Sequence, residues 1–183
     1  LFAPGNKSEL LRNLPKIQPD AAIGELEDAV PTEENENARK NFQEFTGSEQ
    51  TKDLAVFPRV NPISSTHFEL DIQALPAEVN CVVIPKINSL EELKEAENML
   101  SQNNGESKII VGIETVLGVV SAIDILSSTS VIPVSVSTVT EVTSRFSTTV
   151  KSAVVRSYFA MSNLLSLFKR ANRPSRLSFH RTV

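Results

Sequence analysis

Short apolar runs alternate with longer amphipathic stretches along this chain, and that alternation constrains its fold more than any other feature. The strand-length runs are Leu1–Ala3, Ala21–Glu25, Ala55–Val60, Cys81–Ile84, Lys108–Ile113 and Val131–Val136. The stretches that follow them, Ser8–Leu14, Glu33–Phe45, Thr66–Ala74, Ser89–Leu100, Val116–Leu126 and Thr149–Ala171, read as helices. In the fourth, Ser89 and Glu92 make a capping box, and Leu90, Leu93, Ala96 and Leu100 recur at helical spacing. Continuous apolar strands separated by helices imply a parallel sheet covered on both faces. Six such units predict an α/β barrel or a doubly wound sheet.

Three runs contain residues that weaken strands: Gly24, Pro58 and Pro133. Proline removes a ladder hydrogen bond, so it is expected at an edge, a first position or a bulge. Ser and Thr fill 13 of the 23 positions from Ser127 to Thr149, and no glycine follows Gly118. The last third therefore looks looser than the rest.

Composition excludes some classes. With 183 residues, 40% hydrophobic and 22% charged, the chain can bury one core of useful size. No run of apolar residues is long enough to span a membrane. The single cysteine, Cys81, has no partner for an internal disulfide and reads as a small buried strand residue. Only His67 and His180 are available to activate it as a nucleophile. A reducing compartment is expected: the cytoplasm, or the mitochondrial matrix if a transit peptide has been lost ahead of Leu1-Phe2.

All 22 acids and ten of the 18 bases precede residue 142, whereas residues 142–183 carry eight bases and no acid. Such a split suits a tail that lies on the acidic part, or one that meets a partner or an anionic lipid. No nucleic-acid-binding motif accompanies it, and no nucleic-acid partner is expected.

Four strand ends carry pointed residues. Glu114, in Gly112-Ile113-Glu114-Thr115-Val116-Leu117-Gly118, ends a buried run where α/β proteins place their chemistry. The others are Pro4-Gly5-Asn6, the acidic segment Glu25–Val30, and Arg59-Val60-Asn61. Each also has a plain structural reading. Pro4-Gly5-Asn6 suits a turn, Glu25, Glu27 and Asp28 suit a solvated loop, Arg59 suits a surface charge, and Lys86 suits a loop lysine.

Taken in order, these ends resemble the citrate lyase β-subunit, malyl-CoA lyase and citramalyl-CoA lyase family within the HpcH/HpaI aldolase group. The opening turn reads Leu1-Phe2-Ala3-Pro4-Gly5-Asn6-Lys7, and Leu-Glu-Asp-Ala-Val stands intact as Leu26–Val30. Arg59–Pro62 matches Arg-Val-Asn-Pro, Pro85-Lys86 ends the fourth strand, and Ile113–Gly118 matches Ile/Val-Glu-Thr-x-x-Gly. The resemblance implies a (β/α)₈ TIM-barrel fold, here incomplete with about six βα units. It implies a partial barrel domain over residues 1–174 and a basic tail over 175–183.

The resemblance also implies an enzyme, a Mg²⁺-dependent carbon–carbon lyase. It would cleave a 3-hydroxyacyl-CoA of the citramalyl, malyl or citryl type to an acyl-CoA and a ketoacid. Mg²⁺ takes hard oxygen ligands, one or two carboxylates with water and substrate oxygens, and acts as Lewis acid and template. On this resemblance Glu114 is a metal ligand. Arg59 binds the thioester and stabilises its developing enolate, and Glu27 and Asp28 order water and neighbouring side chains. Pro4, Gly5, Asn6, Lys7 and Lys86 meet the CoA moiety. A homo-oligomer is expected.

The chain also departs from the family pattern. The second metal-binding aspartate falls on Thr140, with Glu141 beside it as the substitute ligand, although a one-residue shift reverses a side chain on a strand. Glu25 stands where Asp is usual, Asn35 where a lysine is common, and Pro58 in place of an ordinary strand residue. Ala171-Asn172-Arg173-Pro174 resembles the end of the sixth helix. Strands seven and eight, and the segment that carries the family's catalytic acid, are expected to be missing. The enzyme is therefore expected to be impaired or truncated. The alternative is a non-catalytic barrel relative that serves as a binding or assembly subunit.

Overall fold

Among the described residues every strand runs in the same direction, because a helix returns the chain to the same edge between one strand and the next. The computed structural model describes residues 1–105, 107–127 and 131–132. Over these residues the order is β1 (Phe2–Pro4), α1 (Ser8–Ile17), β2 (Ala22–Glu25), α2 (Asn35–Thr46), β3 (Val56–Arg59), α3 (Phe68–Gln73) and β4 (Cys81–Ile84). Then come α4 (Leu90–Asn104), β5 (Lys108–Val111), α5 (Val116–Val120), α6 (Ala122–Leu126) and β6 (Val131–Ile132). The strands form one parallel sheet in the order β1-β2-β3-β4-β5-β6. Sequential parallel order with the helices on one face is the arc of a (β/α)₈ barrel.

The helix layer is built by alternate strand residues. Val82, Ile84, Ile109 and Val111 belong to one buried cluster with Phe42, Phe68, Ile72, Leu93, Ala96 and Leu100. A second cluster under α1 joins Ala3 and Ala22 to Leu11, Leu14 and Phe45. The predicted cap of α4 is present, with Ser89 Oγ accepting the Glu92 N–H at 3.2 Å. Leu93, Ala96 and Leu100 are buried, as their spacing requires.

Two helix boundaries differ from the sequence reading. Helix α1 runs past Leu14 through Pro15, whose missing N–H falls near the helix end, and the chain leaves through Gln18 at φ 52. The single helix expected over Val116–Leu126 divides at Ser121 into α5 and α6.

Pro58 is not at an edge, a first position or a bulge but inside the central strand β3, opposite Gly24. The Val60 N–H points to Val83 O on β4, and Pro58, two residues earlier, turns its nitrogen to the same side. There the ladder has one registered pair, Arg59 with Val83, so the missing donor leaves little unpaired. Gly24 does not interrupt its strand either, since a Cβ there would stand 2.3 Å from Phe42 Cδ2. The glycine lets the Phe42 ring lie directly on β2.

Residues 133–183 lie outside the described residues. With them lie Pro133, Thr140, Glu141, the helix expected over Thr149–Ala171, the boundary at residue 174 and the tail. Among the described residues no helix is long and apolar enough to cross a membrane.

Gly24→Ala is expected to destabilise the fold by about 1–3 kcal/mol through overpacking against Phe42. Chemical denaturation measures this, and Gly24→Ala combined with Phe42→Leu should recover part of the loss. Unchanged stability in Gly24→Ala would contradict the packing described.

Candidate active site

Side-chain alternation carries charge to the inner face of the arc. Ala22 and Gly24 face the helix layer, so Glu25, out of step with them, faces inward at the carboxyl end of β2. The parallel register sets it beside Arg59, the last residue of β3. Arg59 Nη2 lies 2.5 Å from Glu25 Oε2, with side-chain exposures of 16% and 2%. The second oxygen, Glu25 Oε1, accepts the Glu27 N–H at 2.9 Å. Arg59 Nε stands 3.4 Å from Glu27 Oε2, and its guanidinium lies 5.4 Å from the centre of the Phe2 ring.

Lys86 enters from the end of β4, with Nζ 2.6 Å from Glu27 Oε1 and 3.0 Å from Asp28 Oδ1. Its backbone has φ 55, a left-handed conformation that costs energy in a non-glycine residue. Glu114 follows β5. A Cβ on Gly112 would stand 2.7 Å from Glu114 Oε1 and 3.0 Å from Pro85 Cα, so this glycine leaves room for the carboxylate.

Four carboxylates, Glu25, Glu27, Asp28 and Glu114, thus meet two cations, Arg59 and Lys86. Burial raises the Glu27 carboxyl, a shift that the Lys86 hydrogen bond and the Arg59 charge oppose. Burial also raises Glu114, reinforced by the charge of Glu27 and opposed by Arg59 and Lys86. Burial works against the Arg59 charge, yet the hydrogen bond and charge of Glu25, with Glu27 and Glu114, hold it above its ordinary value. Lys86 behaves likewise, its burial outweighed by Glu27 and Asp28.

The Pro4–Lys7 turn sits alongside. The Gly5 N–H donates to Glu25 O at 2.7 Å, and Asn6 Nδ2 donates to Glu34 Oε2 at 2.7 Å. Lys7 is exposed. Cys81 begins β4, at the strand end away from the cluster, and burial pushes its thiol up to about 12. At neutral pH it is therefore an unreactive thiol.

A buried network behind the cluster joins Asn61 and Asn35 to Asp71 and Arg39, neither of which was singled out from sequence. Asp71, 0% exposed, accepts from Arg39 Nη1 at 2.9 Å, from the Asn61 N–H at 2.7 Å and from Asn61 Nδ2 at 2.8 Å. Asn61 Nδ2 also donates to Leu26 O at 2.8 Å and Asn35 Oδ1 at 3.0 Å. It ties the ends of β2 and β3 to α2 and α3. Asp71 sits in an amphipathic helix among other acids, so only its apolar neighbours Phe68 and Ile72 hinted at burial.

A cavity of about 260 Å³, lined by residues including Ser8, Arg12, Asn41, Glu44 and Gln50, lies between α1 and α2 on the outer layer. The charged cluster lies instead at the strand ends, where charges are buried and unevenly matched. Among the described residues no three His, Cys, Asp or Glu side chains are arranged to hold a metal on their own. A Mg²⁺ ion takes one or two carboxylates and fills its remaining positions with water and substrate oxygens. Glu114, which no described cation reaches within salt-bridge distance, and the excess of negative charge fit such an ion.

Comparison with known proteins follows the same lines. The family model described as HpcH/HpaI aldolase/citrate lyase matches residues 1–153. A citrate lyase subunit beta-like protein from Deinococcus radiodurans is 38% identical over 130 residues, 69% of this chain and 46% of that protein. A malyl-CoA/beta-methylmalyl-CoA/citramalyl-CoA lyase from Chloroflexus aurantiacus is 32% identical over 92 residues, 47% of this chain and 26% of that protein. Among solved structures, the CitE protein of Mycobacterium tuberculosis in complex with magnesium, acetoacetate and coenzyme A superposes with a TM-score of 0.59 at 21% identity. That match covers 72% of this chain and 45% of that one. The chain spans about half the length of the curated relatives it matches. It belongs to the HpcH/HpaI aldolase/citrate lyase family.

A carboxyl whose folded value is raised costs stability once it ionises, so its penalty grows as pH rises from the ordinary carboxylate range through the folded value. Glu114→Gln is therefore expected to raise the thermal midpoint at neutral pH. The gain should shrink as pH falls through the ordinary carboxylate range and vanish at about pH 3 or below, where the carboxyl is protonated in both states. Thermal melts across pH test this, and a Glu114→Gln protein less stable than wild type at neutral pH would contradict it.

Proposed function

We propose, from membership in this family, that the protein is a CoA-ester carbon–carbon lyase acting on a 3-hydroxyacyl-CoA of the citramalyl, malyl or citryl type. The observation that carries the reading is the cluster of Glu25, Arg59, Glu27, Lys86 and Glu114 at neighbouring strand ends. In the reaction the 3-hydroxyl loses its proton and becomes the carbonyl of a ketoacid. The electron pair of the C2–C3 bond passes to the thioester, which becomes an enolate and then takes a proton at C2.

Arg59 is the group suited to the thioester oxygen, because Glu25 holds its guanidinium rigidly at the mouth of the arc. A preorganised cation stabilises the enolate without reorienting at the moment of reaction. Glu27, fixed by Lys86 and by its own N–H on Glu25, orients water and the neighbouring side chains together with Asp28. Mg²⁺, when bound, supplies Lewis-acid polarisation of substrate oxygens. Glu114 would hold it, with Glu141 as the second ligand. Pro4, Gly5, Asn6 and Lys7 would approach the CoA moiety. The M. tuberculosis structures with magnesium and coenzyme A support the choice of cofactor and ligand. We assign the chain to a reducing compartment, the cytoplasm or the mitochondrial matrix, and a relative from mouse named citramalyl-CoA lyase, mitochondrial, supports the second.

A thioester-cleavage assay with malyl-, citramalyl- and citryl-CoA tests the reading. Activity should require Mg²⁺ and be lost on chelation, and Arg59→Lys should lower kcat by about 100-fold or more. Turnover without metal, or unaffected by Arg59→Lys, would refute it. A chain that binds the thioester without cleaving it would instead be the binding or assembly subunit.

Self-association is part of the same proposal, because Val116, Leu117, Val120 and Ile123 stand 54%, 58%, 68% and 80% exposed. Light scattering after size exclusion should give an oligomer, and a stable monomer would contradict it.

A further inference from the structure

Asn88 stands between the turns that carry Lys86 and Glu114, and its partners fix the direction of each hydrogen bond it makes. Its carboxamide nitrogen donates to the Lys86 carbonyl at 2.9 Å and to Glu92 Oε2 at 3.2 Å. A carbonyl and a carboxylate only accept, so the amide oxygen must face the other way. There it meets Thr115 Oγ1 at 2.5 Å. The Thr115 hydroxyl donates to that oxygen and accepts the Gly118 N–H at 3.0 Å. Glu92 Oε2 also accepts the Asn88 N–H at 2.8 Å. One chain of bonds therefore runs from the first turn of α4, through Asn88, to the cap of α5.

This chain acts on the site in two ways. The Asn88 bond to the Lys86 carbonyl holds the left-handed turn at φ 55, and that turn aims the ammonium at Glu27 and Asp28. Thr115 directly follows Glu114, so anchoring its hydroxyl anchors the backbone from which Glu114 projects. We infer that Asn88 is a positioning residue. By bridging the β4–α4 and β5–α5 turns it sets the separation between the Lys86 ammonium and the Glu114 carboxylate. Asn88 touches no reacting atom, and the catalytic consequence of its role rests on the lyase reading.

The test uses Asn88→Ala and Asn88→Asp in the full chain with carbon-13-labelled lysine. The Lys86 signal, assigned with Lys86→Arg, should shift when Glu114→Gln removes the nearby charge. In both Asn88 variants that response should shrink, whereas Thr115→Ser, which keeps the hydroxyl, should retain it. With a cleaved thioester, kcat should fall about 10- to 100-fold in the Asn88 variants while KM changes by less than about threefold. Asn88→Asp keeps the side-chain shape and the acceptor for Thr115, so it serves if Asn88→Ala fails to fold. A folded Asn88 variant with the full Lys86 response would overturn the inference. A wild-type chain that cleaves no thioester would sink the lyase reading, and the Lys86 signal would still decide the positioning role.

Discussion

The buried pair of Glu25 and Arg59 is the constraint on which the rest of the site depends. Neither charge is stable alone in that position, since removing one partner of a buried pair costs about 3–5 kcal/mol. Their pairing requires that β2 and β3 keep the register in which Gly24 lies opposite Pro58. A one-residue slip of β2 would turn Glu25 and Ile23 into the helix layer and bring Ala22 and Gly24 inward. The contact between Gly24 and the Phe42 ring rejects the same slip from the other face. Apolar packing outside and an ion pair inside therefore enforce one arrangement.

From that pair the remaining groups are placed in sequence. Glu25 binds the Glu27 N–H, Glu27 receives Lys86, and Lys86 reaches Asp28. Behind them Asn61 and Asp71 tie the β2 and β3 ends to the first turn of α2 and to α3. Two buried amide and carboxylate centres with satisfied hydrogen bonds make a stiff support for a charged loop. Burial and neighbouring like charge raise the Glu27 and Glu114 carboxyls, as is common where a site is arranged for a ligand rather than for stability.

The strands and helices were legible because apolar runs and helical spacing report burial directly. Cys81–Ile84 agrees residue for residue, and α4 begins at its predicted cap. Pro58 misled because a sequence does not tell which neighbour a strand residue's nitrogen faces. The break at Ser121 left no mark in the periodicity of Val116–Leu126. Glu114 and Arg59 were legible as strand-end charges, and their convergence with Glu25, Glu27 and Lys86 follows from parallel order. Lys86 was legible as the residue that ends β4, and the fold sets its ammonium against Glu27 and Asp28. Asp71, Arg39 and Asn88 were not legible. Each is a polar residue in or beside an amphipathic helix, and only the packing of distant elements gives it a partner.

Arg59, held by Glu25, is the group we propose to stabilise a thioester enolate. Hydrogen–deuterium exchange at C2 of acetyl-CoA, followed by proton NMR in D₂O with Mg²⁺, reports that enolate without requiring carbon–carbon cleavage. Exchange is expected in the wild-type chain and should be lost in Arg59→Lys. No exchange in wild type, or equal exchange in both proteins, would contradict it.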